Sequence, residues 1–265
     1  MDFLVIGSSV AFVAYMFAMI AIVSRLFHPK GPNIPLVLAI ATVAILVHAF
    51  TDTFLFFSKD TINFNLPNVI SLVSLVITTT ITLVALRFKV NLLLPVIYGF
   101  TGLWQLVTIF LPPIESIPLE VEKMILLSHI SLALIAYCIL IIATLYTFQV
   151  TYINVKLKSK NLTAVTHLPP LMQVERQLFG ILSIGTAILS ISEIIGFIFL
   201  DGFLAKENAH KTILSLMALF LYCVILWGHI KKGWRGHRVL MLMISASSLL
   251  TLAYFGSRFV REFIL

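Results

Sequence analysis

The chain has 265 residues, 60% hydrophobic and only 11% charged, with a net charge of +7. So few charged side chains cannot clothe the surface of a water-soluble domain of this length, which excludes a soluble enzyme. No basic patch interleaved with aromatics accompanies the positive charge, so no nucleic-acid partner is expected.

In chain order, apolar runs lie near 3–26, 35–57, 66–86, 92–111, 122–153, 176–200, 211–230 and 238–260. Each holds about 20 residues or more, enough to cross the hydrocarbon as a helix. The runs are continuous and lack the alternation of a membrane barrel. Lipid offers backbone groups no partner, so helices are the economical solution. The fold class predicted is all-α: a polytopic membrane protein, a bundle of eight transmembrane helices forming one domain over 1–265. The fifth run exceeds a bilayer's need and is expected to tilt or project.

The first run has only Asp2 before it and Arg25 after it, the wrong flanks for a cleaved signal peptide. Charge then sets the orientation. Odd loops carry Arg25, Lys30, Arg87, Lys89, Lys156, Lys158, Lys160, Arg176, Lys231, Lys232, Arg235 and Arg238. Even loops carry only Lys59, Lys123, Lys206 and Lys211, mixed with acidic residues. The positive-inside bias predicts cytoplasmic odd loops and both termini external, that is, periplasmic. The stretch 154–175 is Lys-rich and then reads Leu168-Pro169-Pro170-Leu171, where the proline pair should stop helix five from running into helix six. Pro35, Pro67 and Pro95 fall at the start of helices two, three and four, where a missing N–H costs little. Cys138 and Cys223 lie within apolar runs without metal-ligand spacing and read as packing residues.

Chemistry in such a chain is sought among polar groups inside the membrane, each costly unless partnered. His48 and Asp52 share one face of helix two at i,i+4. His129 on helix five, Glu193 on helix six, His210 at the start of helix seven and Arg258 at the end of helix eight all fall toward the external side. His229 lies near the opposite end of helix seven. Imidazoles on facing helices suit haem iron, with apolar side chains over the porphyrin. An arginine suits the propionates, and Asp52 could fix the tautomer of His48. The bland readings are specific too. Asp52 alone would satisfy His48, His210 could be a solvated cap, and His229 could be an interfacial residue beside Trp227 and Trp234. Glu193 and Arg258 could simply pair with each other. His28, His167 and His237 read as solvated loop residues. The candidate iron ligands are therefore His129, with His48 or His210 as the second; His229, Arg258 and Asp52 complete the candidate haem contacts. A buried proton or cation path through Asp52, Glu193 and the histidines is a further alternative, although no inverted repeat or broken helix pair accompanies it. No nucleophile elbow or zinc motif is present, so no enzyme activity is expected.

Several segments carry a resemblance. His129-Ile130-Ser131-Leu132 through Ala136-Tyr137, Leu168-Pro169-Pro170-Leu171 with Glu175, His210-Lys211-Thr212, Gly233-Trp234-Arg235-Gly236 and Ala253-Tyr254-Phe255-Gly256-Ser257-Arg258-Phe259-Val260 resemble the cytochrome c assembly protein family. The resemblance spans essentially the whole chain and is most specific in the second half. It implies a bacterial inner-membrane protein holding b-type haem non-covalently and working with other haem-handling or cytochrome maturation membrane proteins, with the lipid bilayer as its surroundings. It also implies that His129 matches the external histidine of the haem-handling members, and His229 their intramembrane histidine. Those members carry a tryptophan-rich external loop and a second external histidine. Here Asp201 to His210 contains no tryptophan, and Ser257-Arg258 stands where the second histidine would be. The resemblance therefore implies an accessory in haem handling rather than a complete haem ligase. A membrane scaffold or regulator without haem is the alternative, and a small ion or solute transporter the third.

Overall fold

A computed structural model describes residues 2–26, 28, 31–58, 61–62, 65–111, 124–159, 169–200, 205, 209–256 and 259. The described chain is helical apart from a two-residue antiparallel ladder, Phe57–Ser58 with Thr61–Ile62. It divides into two compact units of four helices each.

The first unit holds α1 (Asp2–Val23), α2 (Ile34–Phe56), α3 (Leu66–Ala85) and α4 (Leu94–Phe110). α1 packs on α2 and α4, and α3 packs on the same two, which closes a ring. Close approach depends on small residues, as expected where apolar tails leave little drive for helix association. A Cβ on Gly102 of α4 would stand 2.8 Å from Met16 Cε and 3.1 Å from Tyr15 Cβ of α1. α3 begins cleanly: the Asn65 side chain accepts the Asn68 N–H at 3.0 Å, and Pro67 occupies the first turn.

The second unit holds α5 (Met124–Lys158), α6 (Leu171–Phe199), α7 (Ala209–Lys232) and α8 (His237–Thr251), the last continued by a π-helical turn, Leu252–Gly256. These helices also form a ring, with α5 against α6 and α8, and α7 against α6 and α8. Here Gly185 of α6 allows contact, since a Cβ would lie 2.9 Å from the Leu140 side chain of α5. Pro170, extended at ψ 133°, immediately precedes α6, and its carbonyl accepts from the Gln173 and Val174 N–H groups. The proline pair thus lies between α5 and α6, as the sequence predicts, but directly at the start of α6. α6 begins at Leu171 rather than near 176. Its first turns carry Glu175 and Arg176, charges that make a helix start look like a loop.

Both units bury small polar groups among apolar core side chains and turn further large apolar side chains outward. Phe17, Leu46, Phe100 and Phe110 are exposed on the first unit, and Phe197, Phe220 and Ile230 on the second. Buried positions include Ser71, Ser74, Thr78, Thr101, Gln105, Thr186, Ser192 and Ser215. Exposed apolar surface on this scale suits lipid, not water. Seven of the described helices are long and apolar enough to cross a membrane; α4, with 17 residues, is shorter. The chain is a multi-pass membrane protein. α5, with 35 residues, extends about 50 Å against roughly 30 Å of hydrocarbon, so part of it projects.

Candidate functional site

In the first unit each helix sends one polar group or more to a common centre. His48 and Asp52 of α2 are buried, at 0% and 3% exposure. His48 Nδ1 lies 3.2 Å from the Tyr15 hydroxyl of α1, and Nε2 lies 2.9 Å from Ser71 Oγ of α3. Ser71 donates to Asp52 Oδ1 at 2.8 Å, and Gln105 Nε2 of α4 donates to Ser71 Oγ at 3.1 Å. Ser71 has one hydrogen, spent on Asp52, so it must accept from His48. The direction of the chain follows: Tyr15 donates to His48 Nδ1, His48 Nε2–H to Ser71, and Ser71 to Asp52. Asp52 Oδ2 makes no hydrogen bond but lies 3.4 Å from His48 Nε2, an ion-pair distance. Both nitrogens of the His48 ring are therefore engaged, Nδ1 by Tyr15 and Nε2 by Ser71. Asp52 fixes the tautomer, as the i,i+4 spacing predicts, but does so through Ser71 as well as directly. Two further bonds extend the polar column, Thr78 to Thr101 at 2.7 Å and Thr82 to Tyr98 at 3.1 Å. Tyr15, Ser71 and Gln105 are missed by a search for ionisable residues alone. The stripe Ser71, Ser74, Thr78, Thr82 at helical spacing is the signal that points to them.

In the second unit His129, six residues into α5, faces α6. Its Nδ1 lies 2.8 Å from the Ser192 carbonyl oxygen. A carbonyl only accepts, so Nδ1 carries a proton. Ser192 Oγ returns a hydrogen bond to the His129 carbonyl at 3.1 Å. A ring held by Nδ1–H on a backbone carbonyl is the arrangement that orients metal-binding histidines. His210, in the first turn of α7, is exposed. Arg258 lies outside the described residues.

The other end of the same unit gathers most of the remaining motif residues. His229 Nδ1 donates to the Trp234 carbonyl at 3.2 Å, and its ring stacks on Phe179 of α6 at 3.3 Å between centroids. Gly233 and Gly236, at φ +61° and +66°, bracket Trp234 and Arg235. The Trp234 indole lies over Gly228, in the space a Cβ there would need. Arg235 Nε stands 3.0 Å from Glu175 Oε1, paired by distance without the alignment of a hydrogen bond. His229 is near the C-terminal end of α7, while His129 contacts the C-terminal part of the antiparallel α6. About 19 residues of α7, roughly 28 Å, separate the levels of His210 and His229. His129 and His229 thus occupy opposite ends and cannot share one iron. Among the described residues no group of three or more His, Cys, Asp or Glu could hold a metal ion. A bis-histidine haem needs only two.

The family model described as Cytochrome C assembly protein matches residues 8–265. The chain belongs to the cytochrome c assembly protein family. It is 38% identical to Inner membrane protein YpjD of Escherichia coli K12 over 256 residues, covering 96% of this chain and 97% of the relative. The E. coli O157:H7 protein of the same name matches equally. An uncharacterized 28.8 kDa protein of Azospirillum brasilense is 33% identical over 141 residues, 52% of each chain. No solved structure matches significantly. Within this cytochrome c assembly protein, Glu175, Gly233, Trp234 and Arg235 meet at one end of the second unit. Tyr137, Tyr254 and Phe255 meet elsewhere in it: Tyr137 has its ring 5.8 Å from Tyr254 and 5.2 Å from Phe255, with its hydroxyl 3.0 Å from Thr251 Oγ1.

Proposed function

We propose that this protein binds b-type haem in the bacterial inner membrane and acts as an accessory in haem handling for cytochrome c biogenesis, without being a complete haem ligase or an enzyme. The observation that carries the reading is the Nδ1–H of His129 anchored on the Ser192 carbonyl, which fixes the ring so that Nε2 would be the nitrogen to coordinate iron. Membership of the cytochrome c assembly family supports it, as does a chain-long match to a relative named as an inner membrane protein. His129 is the assigned axial ligand. His229 is anchored the same way and is the candidate for a separate contact at the other end of the unit. His48 is assigned to the polar centre of the first unit, because coordination would require it to surrender the Tyr15 bond. When bound, haem would supply a redox-active iron; the chain's own part is to hold the imidazole and exclude water.

The test is the absorption spectrum of the full-length protein purified in detergent from haem-replete cells. A Soret band that shifts on dithionite reduction and is lost in His129→Ala is the expected result. A colourless preparation overturns it. The second reading is a scaffold or regulator that binds a partner protein and holds no haem. The network around His48 favours it, because there the buried imidazole is engaged by protein hydroxyls on both nitrogens.

A further inference from the structure

At one end of the first unit two connections meet around a cavity of about 320 Å3. The α1–α2 connection contributes Gly31 and Pro32, with Ile34 at the start of α2. The other wall runs from Ala85, the last residue of α3, to Asn91 before α4. Both connections are held in shape. Gly31 takes the left-handed backbone at φ +66° and donates its N–H to the His28 carbonyl at 2.8 Å. Val90, 1% exposed, anchors the second connection in the unit, and its N–H donates to the Phe88 carbonyl at 3.0 Å. The residues on either side of this anchor, Lys89 and Asn91, stand on the cavity wall together with Arg87.

The wall has a definite chemistry. It carries two cations, Arg87 and Lys89, one amide, Asn91, and no acidic side chain. Asp2 and Asp52, the acids among the unit's described residues, lie at the start of α1 and near the end of α2. About 18 residues of α2, roughly 27 Å, separate Asp52 from Ile34, so neither acid offsets the cations here. The same wall is also apolar and open: Leu86 is 67% exposed and Phe88 41%. The unit's helices end at this level, where hydrocarbon gives way to headgroups. The matching ligand is an anion with apolar chains attached. A phosphate diester suits the planar fork of Arg87, while Lys89 adds a point charge. The volume, at the small end for ligand pockets, takes a headgroup and leaves acyl chains to lie over Leu86 and Phe88. A headgroup with its own ammonium would meet two like charges.

We propose that this cavity binds the headgroup of an anionic phospholipid, with the phosphate on Arg87 and Lys89, the head hydroxyls on Asn91, and the acyl chains along Leu86 and Phe88. Phosphatidylglycerol has that chemistry: one phosphate diester, a hydroxylated head and no cation. The bound lipid ties the two connections to each other and to the membrane surface. The site lies within the first unit, and neither His129 nor haem takes part in it.

Native mass spectrometry of the full-length protein in detergent tests it, by titration with phosphatidylglycerol or with phosphatidylcholine of the same chains. The unmodified protein should hold its first phosphatidylglycerol roughly tenfold more tightly than phosphatidylcholine, with two basic side chains at the contact. Arg87→Gln combined with Lys89→Gln should abolish that preference. Asn91→Trp keeps both cations, and with them the charge bias that orients the chain, but fills the cavity; it should abolish the preference too. Lys231→Gln combined with Lys232→Gln removes two exposed cations of the second unit, outside the cavity, and should leave the preference intact. No preference in the unmodified protein overturns the proposal, as does one that survives Asn91→Trp. An equal loss in the Lys231 and Lys232 variant also overturns it, because positive charge anywhere would then suffice. Inorganic phosphate separates the two sources of the anion. If it displaces the lipid at equal concentration, the cavity holds a free anion and the lipid assignment fails.

Discussion

Glu175, in the second turn of α6, holds Arg235 Nε at 3.0 Å from the turn that joins α7 to α8. The two partners are unequal: the Glu175 side chain is 8% exposed and that of Arg235 57%. Losing the arginine strands a buried carboxylate, whereas losing the acid frees a solvated cation. Arg235→Ala should therefore cost about 1–3 kcal/mol, reduced by the exposure of the arginine. Adding Glu175→Gln to it should recover part of the loss. Thermal unfolding of the single and double variants in detergent decides this; equal stability of Arg235→Ala and the double variant would mean that the pair contributes nothing.

The first unit's polar centre makes a different prediction. His48→Ala removes both the acceptor of Tyr15 and the donor to Ser71, and should cost roughly 2–4 kcal/mol. Asp52→Asn keeps an oxygen for Ser71 and should cost less. Neither should lower the Soret absorbance per folded protein. A loss in His48→Gln matching that of His129→Ala would instead make His48 a ligand.

Ser192 separates a main-chain role from a side-chain role. The bond that orients His129 comes from the Ser192 carbonyl, so Ser192→Ala retains it and loses only the hydroxyl contact. The Soret position should stay as in the unmodified protein, with a stability loss of about 0.5–1.5 kcal/mol. A shifted or vanished band in Ser192→Ala would show that the hydroxyl is what orients the imidazole.

The loop end of the second unit tolerates little. In Gly228→Ala the new methyl meets the Trp234 indole and should cost about 1–3 kcal/mol by overpacking. Gly233→Ala and Gly236→Ala face the left-handed backbone penalty of about 1–2 kcal/mol each. Trp234 fluorescence should redden in Gly228→Ala as the ring is displaced. An unchanged emission maximum and melting temperature would refute the contact.

The helices were legible because run length alone signals a membrane helix: α1, α2, α3 and α4 begin and end within about three residues of the apolar runs. Boundaries slipped where charge enters a helix, as at Glu175 and Arg176 of α6, and at Lys156 and Lys158 within α5. The expectation that Asp52, Glu193 and the histidines fall toward the external side named residues, but not the groups that bond them. His48 binds Tyr15 and Ser71, and His129 a main-chain carbonyl. Hydroxyl and carbonyl groups lie silent in an apolar run, because neither alters its hydropathy or its charge. Glu175 and Arg235 were visible as motif residues; only the positive-φ glycines around Trp234 bring them within reach of each other.

The π-helical turn at Leu252–Gly256 accommodates one residue more than a regular helix of the same rise. Excising a single position there would let the segment relax to an ordinary α-helix of about the same rise, with the positions inside the turn, Tyr254 among them, reoriented about the axis. Tyr254 owes its bearing toward Tyr137 to that surplus residue, so along this stretch the tally of positions counts for as much as their chemistry.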